Sequence, residues 1–566
     1  MKKIGIIFLA AMFFASAYMP LYAEEVEQLE KIDKDIQRDK TLIERIFRKK
    51  EKPAVEEKLP EGVGAAVSGE TVLVKKINVT GTSLLAQKDI DAIVVPFQNK
   101  NLTLRDMQKV ADLVTDAYRQ KGYVTSRAYL PPQRVKGGIL EISVVEGITG
   151  CITFRGNKYF ETSLLRRKIN LNTGDPFDYD ELRKGLTKIN EQRDRYAKTV
   201  LAPGSEPGTT DIIIDVEDQL PIHLGLILDN FGSRYIDQER LRTTLVHNNL
   251  FGLDDVFTLQ YQVAEGENYR LLMARYLLPI HEYLKVGFLA AQSKLKLGKE
   301  YEALNARGKS EYYSIFLIQH LFDRENIDAN LNLGFDYKDV FNFQNNLEIS
   351  RDRLRTAKLS LDFDLTDGLG RTIIVNEWSY GIHGIMGGLE EVDAKASRAG
   401  SGGKFFKDNL SILRLQRMPF NSTLLWKNEF QFTPYILTAT EQFQIGGIVN
   451  VRGYPPAEVV GDKGYSMTWE WSMPVYLLPK DAKVPFSKAM WYDALRMILF
   501  YDWANANLRR PAAGEEESTT LRSAGCGFRF NLPEDFSCRM EFAWPLDRTP
   551  SDGDHMHMWF EVTKTF

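Results

Sequence analysis

From residue 221 to the C-terminus the chain alternates between apolar and polar positions with a period of two. Phe257, Leu259, Tyr261 and Val263 alternate with Thr258, Gln260 and Gln262, and Leu284, Val286, Phe288 and Ala290 alternate with partners that include Lys285. Trp469, Trp471 and Met473 alternate with Thr468, Glu470 and Ser472, and Met497, Leu499, Tyr501 and Trp503 with Arg496, Phe500 and Asp502. This is the signature of β-strands with one apolar, aromatic face and one mostly polar face. Residues 221–566, at roughly 20 residues per strand and connection, hold about sixteen antiparallel strands. Such strands can be stable in lipid only as a closed barrel, because an open edge leaves backbone N–H and C=O groups unpaired. Met556, Met558, Phe560, Val562 and the terminal Phe566 share one face of the last strand, which Lys564 interrupts by snorkelling.

The N-terminal half follows a different pattern. Val26, Leu29, Ile32, Ile36, Ile43 and Ile46 form one stripe of an amphipathic helix over 24–51. Residues 52–70, with Pro53, Pro60 and several Gly and Glu residues, read as a flexible linker. Residues 71–147 and 148–220 then read as a repeat. Ile77-Asn-Val-Thr-Gly81 resembles Ile152-Thr-Phe-Arg-Gly156, and Ile142-Ser-Val-Val-Glu146 resembles Ile213-Ile-Asp-Val-Glu217. Each unit opens and closes with strands and has helices between them. Thr103 and Asp106 form a capping pair ahead of Met107, Val110, Val114 and Ala117, and Leu182, Leu186 and Ile189 line the second helix. The expected fold is thus α+β domains followed by an antiparallel barrel of about sixteen strands.

Composition narrows the function. Seventy-two basic residues against 76 acidic ones leave a net charge of −4. With no concentrated basic tract in a folded part, this balance does not suggest a nucleic-acid partner. Lys2 and Lys3 precede an apolar run to Phe14, and Ala23 is a suitable last residue before cleavage, so residues 1–23 read as a signal peptide. The run is too short to span a membrane. The three cysteines form no disulfide framework; Cys526 and Cys538 flank a turn and either bridge a hairpin or remain buried or lipid-facing thiols.

Catalytic motifs are missing. There is no HExxH and no G-x-S-x-G, and the phosphate-loop-like Gly308-Lys309-Ser310 has Ala303 where the earlier glycine belongs. His555 and His557, two apart, offer at most a metal clip; a strand end is the simpler reading, and neither a metal nor another cofactor is assigned. The chain is expected not to be an enzyme.

One loop-like stretch stands out. In 446–465, GGIVNVRGYPPAEVVGDKGY, a single arginine, Arg452, lies among residues suited to close packing. Together with Gly122-Tyr-Val-Thr-Ser-Arg-Ala-Tyr-Leu-Pro-Pro-Gln133, Gly138-Ile-Leu-Glu-Ile-Ser-Val-Val-Glu-Gly147 and Asn249-Leu-Phe-Gly-Leu-Asp-Asp255, the ordered Val451-Arg-Gly-Tyr454 and Gly461-Asp-Lys-Gly464 resemble the two-partner secretion transporters of the haemolysin secretion/activation type (ShlB/FhaC/HecB-like). That resemblance implies a plug helix at 24–51, two POTRA (polypeptide-transport-associated) domains in the periplasm and an outer-membrane barrel. It further implies that the loop carrying Val451, Arg452, Gly453 and Tyr454 folds into the lumen, where Arg452 meets acids of the wall. Asp502, in a stretch like the family's Phe-x-Asp-x-Gly strand, is the first candidate partner and Glu470 the second. Ala504 replaces the family's glycine, which puts the loop's closest approach there in question. The pair either braces the barrel or gates it. The implied function is export of a secreted partner exoprotein of the large β-helical adhesin or haemolysin type. Outer-membrane lipid and the barrel assembly machinery are the further partners. A barrel-assembly factor and a passive diffusion channel are the alternatives.

Overall fold

The computed structural model describes residues 55–57 and 71–566, apart from 136, 325 and 534. The expected signal peptide, plug helix and most of the linker lie outside the described residues. The described residues up to Pro221 form one compact unit, and Ile222–Phe566 forms another.

The first unit contains nine strands. They are β1 (Val55–Glu57), β2 (Thr71–Val74), β3 (Lys76–Thr80), β4 (Lys100–Thr103), β5 (Arg127–Tyr129), β6 (Ile139–Val145), β7 (Ile148–Arg155), β8 (Arg195–Pro203) and β9 (Thr209–Asp218). In the first repeat, β3, β6 and β5 form a sheet in that order. The helix Leu104–Gln120 packs Met107, Val110, Ala111, Val114 and Tyr118 onto its core. Thr103 caps this helix through the Asp106 amide, and Asp106 returns a bond to the Thr103 amide, closing a capping box. In the second repeat, Leu182, Leu186 and Ile189 of the helix Tyr179–Asn190 cover a sheet ordered β1-β8-β9-β7. Residues 55–57 therefore depart from the expected structureless linker: they pair in parallel with β8 and complete the edge of this sheet.

The repeat register differs by one residue from the sequence reading. Glu146 accepts bonds from the Ser83 and Leu84 amides at 2.6 and 2.8 Å and from the Tyr118 hydroxyl at 2.7 Å. In the second repeat the corresponding carboxylate is Asp218, which receives the Lys158, Tyr159 and Phe160 amides at 2.9–3.1 Å. Glu217 faces outward toward Lys198. Gly81 and Gly156, at φ 80° and 87°, sit so that a Cβ would land 2.3 Å from the Val144 oxygen and 2.5 Å from the Val216 oxygen. The geometry the two repeats share is thus a glycine turn whose following amides converge on a carboxylate, and it fixes 144 against 216 and 146 against 218.

The second unit is a closed barrel of sixteen antiparallel strands. In order these are β10 (Ile222–Asp229), β11 (Arg240–His247), β12 (Val256–Ala264), β13 (Tyr269–His281), β14 (Leu284–Lys296), β15 (Arg307–Arg324), β16 (Ile327–Gln344), β17 (Leu347–Thr366), β18 (Gly370–Gly381), β19 (Phe405–Met418) and β20 (Ser422–Phe432). A two-stranded hairpin, β21 (Phe443–Ile445) and β22 (Val459–Gly461), interrupts the series. The barrel resumes with β23 (Lys463–Pro474), β24 (Leu495–Asn507), β25 (Ser518–Leu532), β26 (Phe536–Pro545) and β27 (His557–Thr565). Antiparallel pairing of β27 with β10, from Gly225 against Thr565 to Asp229 against Glu561, closes the ring.

The period-two pattern sorts as expected for lipid outside and polar groups inside. Tyr261, Phe288, Trp469, Trp471, Leu499, Tyr501, Phe528 and Met540 are exposed, whereas Gln260, Gln262, Asp336, Lys407, Glu470 and Asp502 are buried in the lumenal face. Gly308-Lys309-Ser310 lies within β15. Cys526 and Cys538 are both free thiols, opposite Phe542 and Phe530 respectively, so the cross-hairpin bridge does not form.

Candidate functional site

The loop after β20 enters the barrel instead of standing above it. Two apposed backbone constraints shape its tip. Asn450 accepts the Gly446 and Val451 amides at 2.9 and 2.8 Å and donates to the Gln444 carbonyl at 2.9 Å, and the Gly447 amide bonds the Tyr454 carbonyl at 2.9 Å. Pro455 and Pro456 pack against Gly446 and Gly447, so the prolines brace the loop on itself. Val451 and Tyr454 are fully buried in an apolar cluster with Phe443, Ile445, Ala504, Ala506 and Leu521. Ala504, the departure from the glycine pattern, thus fills space in this cluster and does not hold the loop away.

Gly453 is where the loop passes closest to the wall. A Cβ there would lie 2.7 Å from Ser523 Cβ and 2.8 Å from the Pro545 nitrogen, so no other residue fits without displacement. The Tyr454 hydroxyl accepts the Asp547 and Arg548 amides at 3.3 Å each, fastening the tip to the loop between β26 and β27.

Arg452 is only 4% exposed. Its Nε and Nη2 donate to the two Asp502 oxygens at 3.0 and 2.8 Å, and its backbone amide donates to Asp502 Oδ2 at 3.2 Å. Nη1 donates to Glu470 and to Glu541, each at 3.0 Å. The guanidinium carbon stands 3.4 Å above the Phe500 ring, and Trp559 Nε1 donates to the Arg452 carbonyl at 2.7 Å. Asp502 and Glu470, the partners proposed from sequence, therefore both surround this cation. The planar guanidinium fork engages Asp502 in the bidentate geometry that makes such pairs strong.

Period two explains why these groups converge. Thr468 is directly opposite Asp502, and Glu470 is opposite Phe500, on the inward face of the β23–β24 pair. Ser523, opposite Asp502 on β25, donates its hydroxyl to Asp502 at 3.0 Å. Sequence reasoning missed Glu541, Arg529, Phe500, Ser523 and Trp559. Arg529 binds Glu470 at 2.6 Å and Glu541 at 3.1 Å, so two cations share three carboxylates. A signal was present: Gly525 and Gly527 occupy successive inward positions of β25, and Cβ atoms there would meet Phe500 and Glu541. Alternating glycines on a lumenal face mark where large partners must fit.

His557 pairs with Asp552 at 2.8 Å, while His555 is exposed in the preceding loop, so the two histidines do not act together. Asp552, Asp554 and His557 are close enough to share an ion.

Residues 208–493 match the haemolysin secretion/activation protein family ShlB/FhaC/HecB. This chain belongs to that family. Residues 72–147 match its ShlB-type POTRA domain, and residues 149–218 match a second POTRA domain described as a surface antigen variable number repeat. The transporter is 23% identical over 486 residues to the heme/hemopexin transporter protein HuxB of Haemophilus influenzae strain 86-028NP, covering 84% of this chain and 83% of that one. It is 22% identical over 426 residues to the outer membrane transporter CdiB of Dickeya dadantii strain 3937, covering 72% and 75%. The solved structure of CdiB from Escherichia coli aligns with 97% of this chain and 99% of its own, at TM-score 0.69 and 20% identity. BamA from Haemophilus ducreyi lacking POTRA domains 1–3 aligns at TM-score 0.54 and 13% identity, a likeness of barrel fold. The transporter is a two-partner secretion protein of the outer membrane, with POTRA domains in the periplasm and a secreted exoprotein as partner.

Proposed function

We propose that Arg452 is the latch of a gated export pore for an unfolded exoprotein of the large β-helical type. The observation that carries this reading is the burial of one loop-borne cation among carboxylates from three separate wall strands, β23, β24 and β26. A pair in open water would contribute about 0–1 kcal/mol. Breaking a buried, hydrogen-bonded pair costs about 3–5 kcal/mol, enough to shift a two-state loop more than a hundredfold. Arg529 remains beside Glu470 and Glu541 when the tip withdraws, so the vacated wall keeps one of its two countercharges.

The POTRA domains supply the capture surface. Strand addition to a sheet edge suits an extended client because main-chain bonds require little sequence. In the second POTRA sheet the β8 edge already carries β1, a segment of only three residue pairs, so a longer client strand would compete with it. Residues 24–51 act as a plug that their tether allows to leave. Folding of the client outside biases its movement outward, and the chain itself performs no catalysis and needs no cofactor. The exposed aromatic wall contacts outer-membrane lipid, and the barrel assembly machinery inserts the chain there.

Export is tested by deleting this chain in cells that make its secreted partner. Loss of that one polypeptide from the medium, with its accumulation in the periplasm, is expected. Unchanged export overturns the reading, and loss of many barrel proteins instead identifies an assembly factor.

A further inference from the structure

Outer-membrane barrels have short periplasmic turns and long outer loops. Six of the seven periplasmic turns here obey that rule, running from two residues (282–283) to eight (248–255). The seventh, residues 475–494 between β23 and β24, has twenty. It is folded: Leu478, Ala482, Val484 and Trp491 amides bond to the Val475, Pro479, Ala489 and Ala482 carbonyls, and Lys483 pairs with Met490 across a small hairpin. Phe486, at the tip, has φ 63° and is fully exposed, and Leu477 is 95% exposed. A folded turn that holds a phenylalanine and a leucine outward, at a cost in apolar hydration, implies an apolar occupant.

The turn's attachment indicates which one. Trp491 packs on Phe530 at 5.4 Å between ring centroids, and Phe530 packs on Phe536 at 6.3 Å. Phe530 shares its strand face with the exposed Phe528, so the turn folds against the lipid side of the wall, not toward the lumen. Tyr476 donates to the carbonyl of Phe420, whose side chain is 84% exposed, and joins the neighbouring turn to the same surface. Among these apolar groups, Lys480, Lys483 and Lys488 are exposed, and Lys480 stands 5.6 Å from the Tyr492 ring centroid. Apolar tips, interfacial aromatics and lysines together make up the composition of a membrane-interface anchor.

We propose that residues 475–494 form a foot set in the periplasmic leaflet, with Leu477 and Phe486 among the acyl chains and Lys480, Lys483 and Lys488 on anionic phospholipid headgroups. This rests on the outer-membrane placement of the barrel. The foot joins the two strands that carry Glu470 and Asp502, so it fixes the carboxylate side of the latch to the bilayer while the Arg452 loop moves.

The test uses the full chain in nanodiscs. A Phe486→Cys variant, and Leu477→Cys as a second position, is labelled with an environment-sensitive dye in a Cys151→Ser, Cys526→Ser, Cys538→Ser background. Blue-shifted emission, quenched by nitroxide-bearing lipid and spared by aqueous iodide, is expected. In phosphatidylglycerol–phosphatidylcholine mixtures the unlabelled chain should retain phosphatidylglycerol selectively. Lys480→Gln, Lys483→Gln and Lys488→Gln should lower that preference roughly fivefold each. Iodide quenching equal to that of free dye, cross-linking of position 486 to a client polypeptide, or a lipid preference indifferent to the lysines overturns the proposal. A labelled variant that exports normally yet reads as aqueous overturns the foot alone and leaves the latch intact.

Discussion

Trp559 donates its indole N–H to the backbone carbonyl of Arg452 across 2.7 Å, so the closing strand of the barrel holds the tip of a loop that begins after β20. The acceptor is buried and has no solvent to replace the donor. Trp559→Phe keeps the ring against Phe231 but leaves that carbonyl unpaired, which costs about 1–3 kcal/mol. Faster hydrogen exchange across 450–454, with barrel strands unchanged, is the expected result.

Arg452→Ala should fold and insert but export poorly, as should Asp502→Asn. Of the carboxylates, Asp502 receives three bonds from Arg452 and Glu541 one, so Asp502→Asn should impair secretion and lower the unfolding temperature in detergent more than Glu541→Gln. Secretion yield and thermal unfolding measured on the same variants check the order.

Gly453→Ala forces a methyl against Ser523 Cβ and two backbone atoms of β26. Overpacking of this kind costs about 1–3 kcal/mol. Because two of the three contacts are backbone, adding Ser523→Gly should restore only part of the lost stability and export. Full rescue by Ser523→Gly would show that the side chain alone sets the clearance.

Glu146 in the first POTRA domain gives a pH prediction. Burial raises its pKa, but the bonds from Ser83, the Leu84 amide and Tyr118 outweigh burial and hold it below the ordinary glutamate value of 4.5. A carboxyl depressed on folding contributes stability above that value and loses it as the pH falls through the folded pKa. Protection of the Ser83 and Leu84 amides, corrected for intrinsic exchange, should therefore be constant near neutrality and fall in acid. Glu146→Gln should show weak protection at every pH.

Much of this was legible in the sequence because period two is a strong signal when one face meets lipid. The inward set Thr468, Glu470 and Asp502 followed from alternation alone, and the Thr103–Asp106 cap followed from spacing. Glu541 and Arg529 were not found because partners on β25 and β26 depend on register across hairpins, which one strand's pattern does not fix. Phe500 was passed over as an aromatic on a polar face, although that anomaly marked the ring beneath Arg452. The repeat was read one residue out of phase because Glu217 and Asp218 are both acidic, and only the convergent amides at Lys158, Tyr159 and Phe160 distinguish them.

Cys526 and Cys538 look out toward the acyl chains, and Cys151 is exposed on the POTRA unit. Among the described residues the interior of the pore is therefore free of native thiol. A single reactive handle engineered at a lumenal position, reached by a water-soluble maleimide from either mouth, would report passage of a polypeptide with no background from the wall itself.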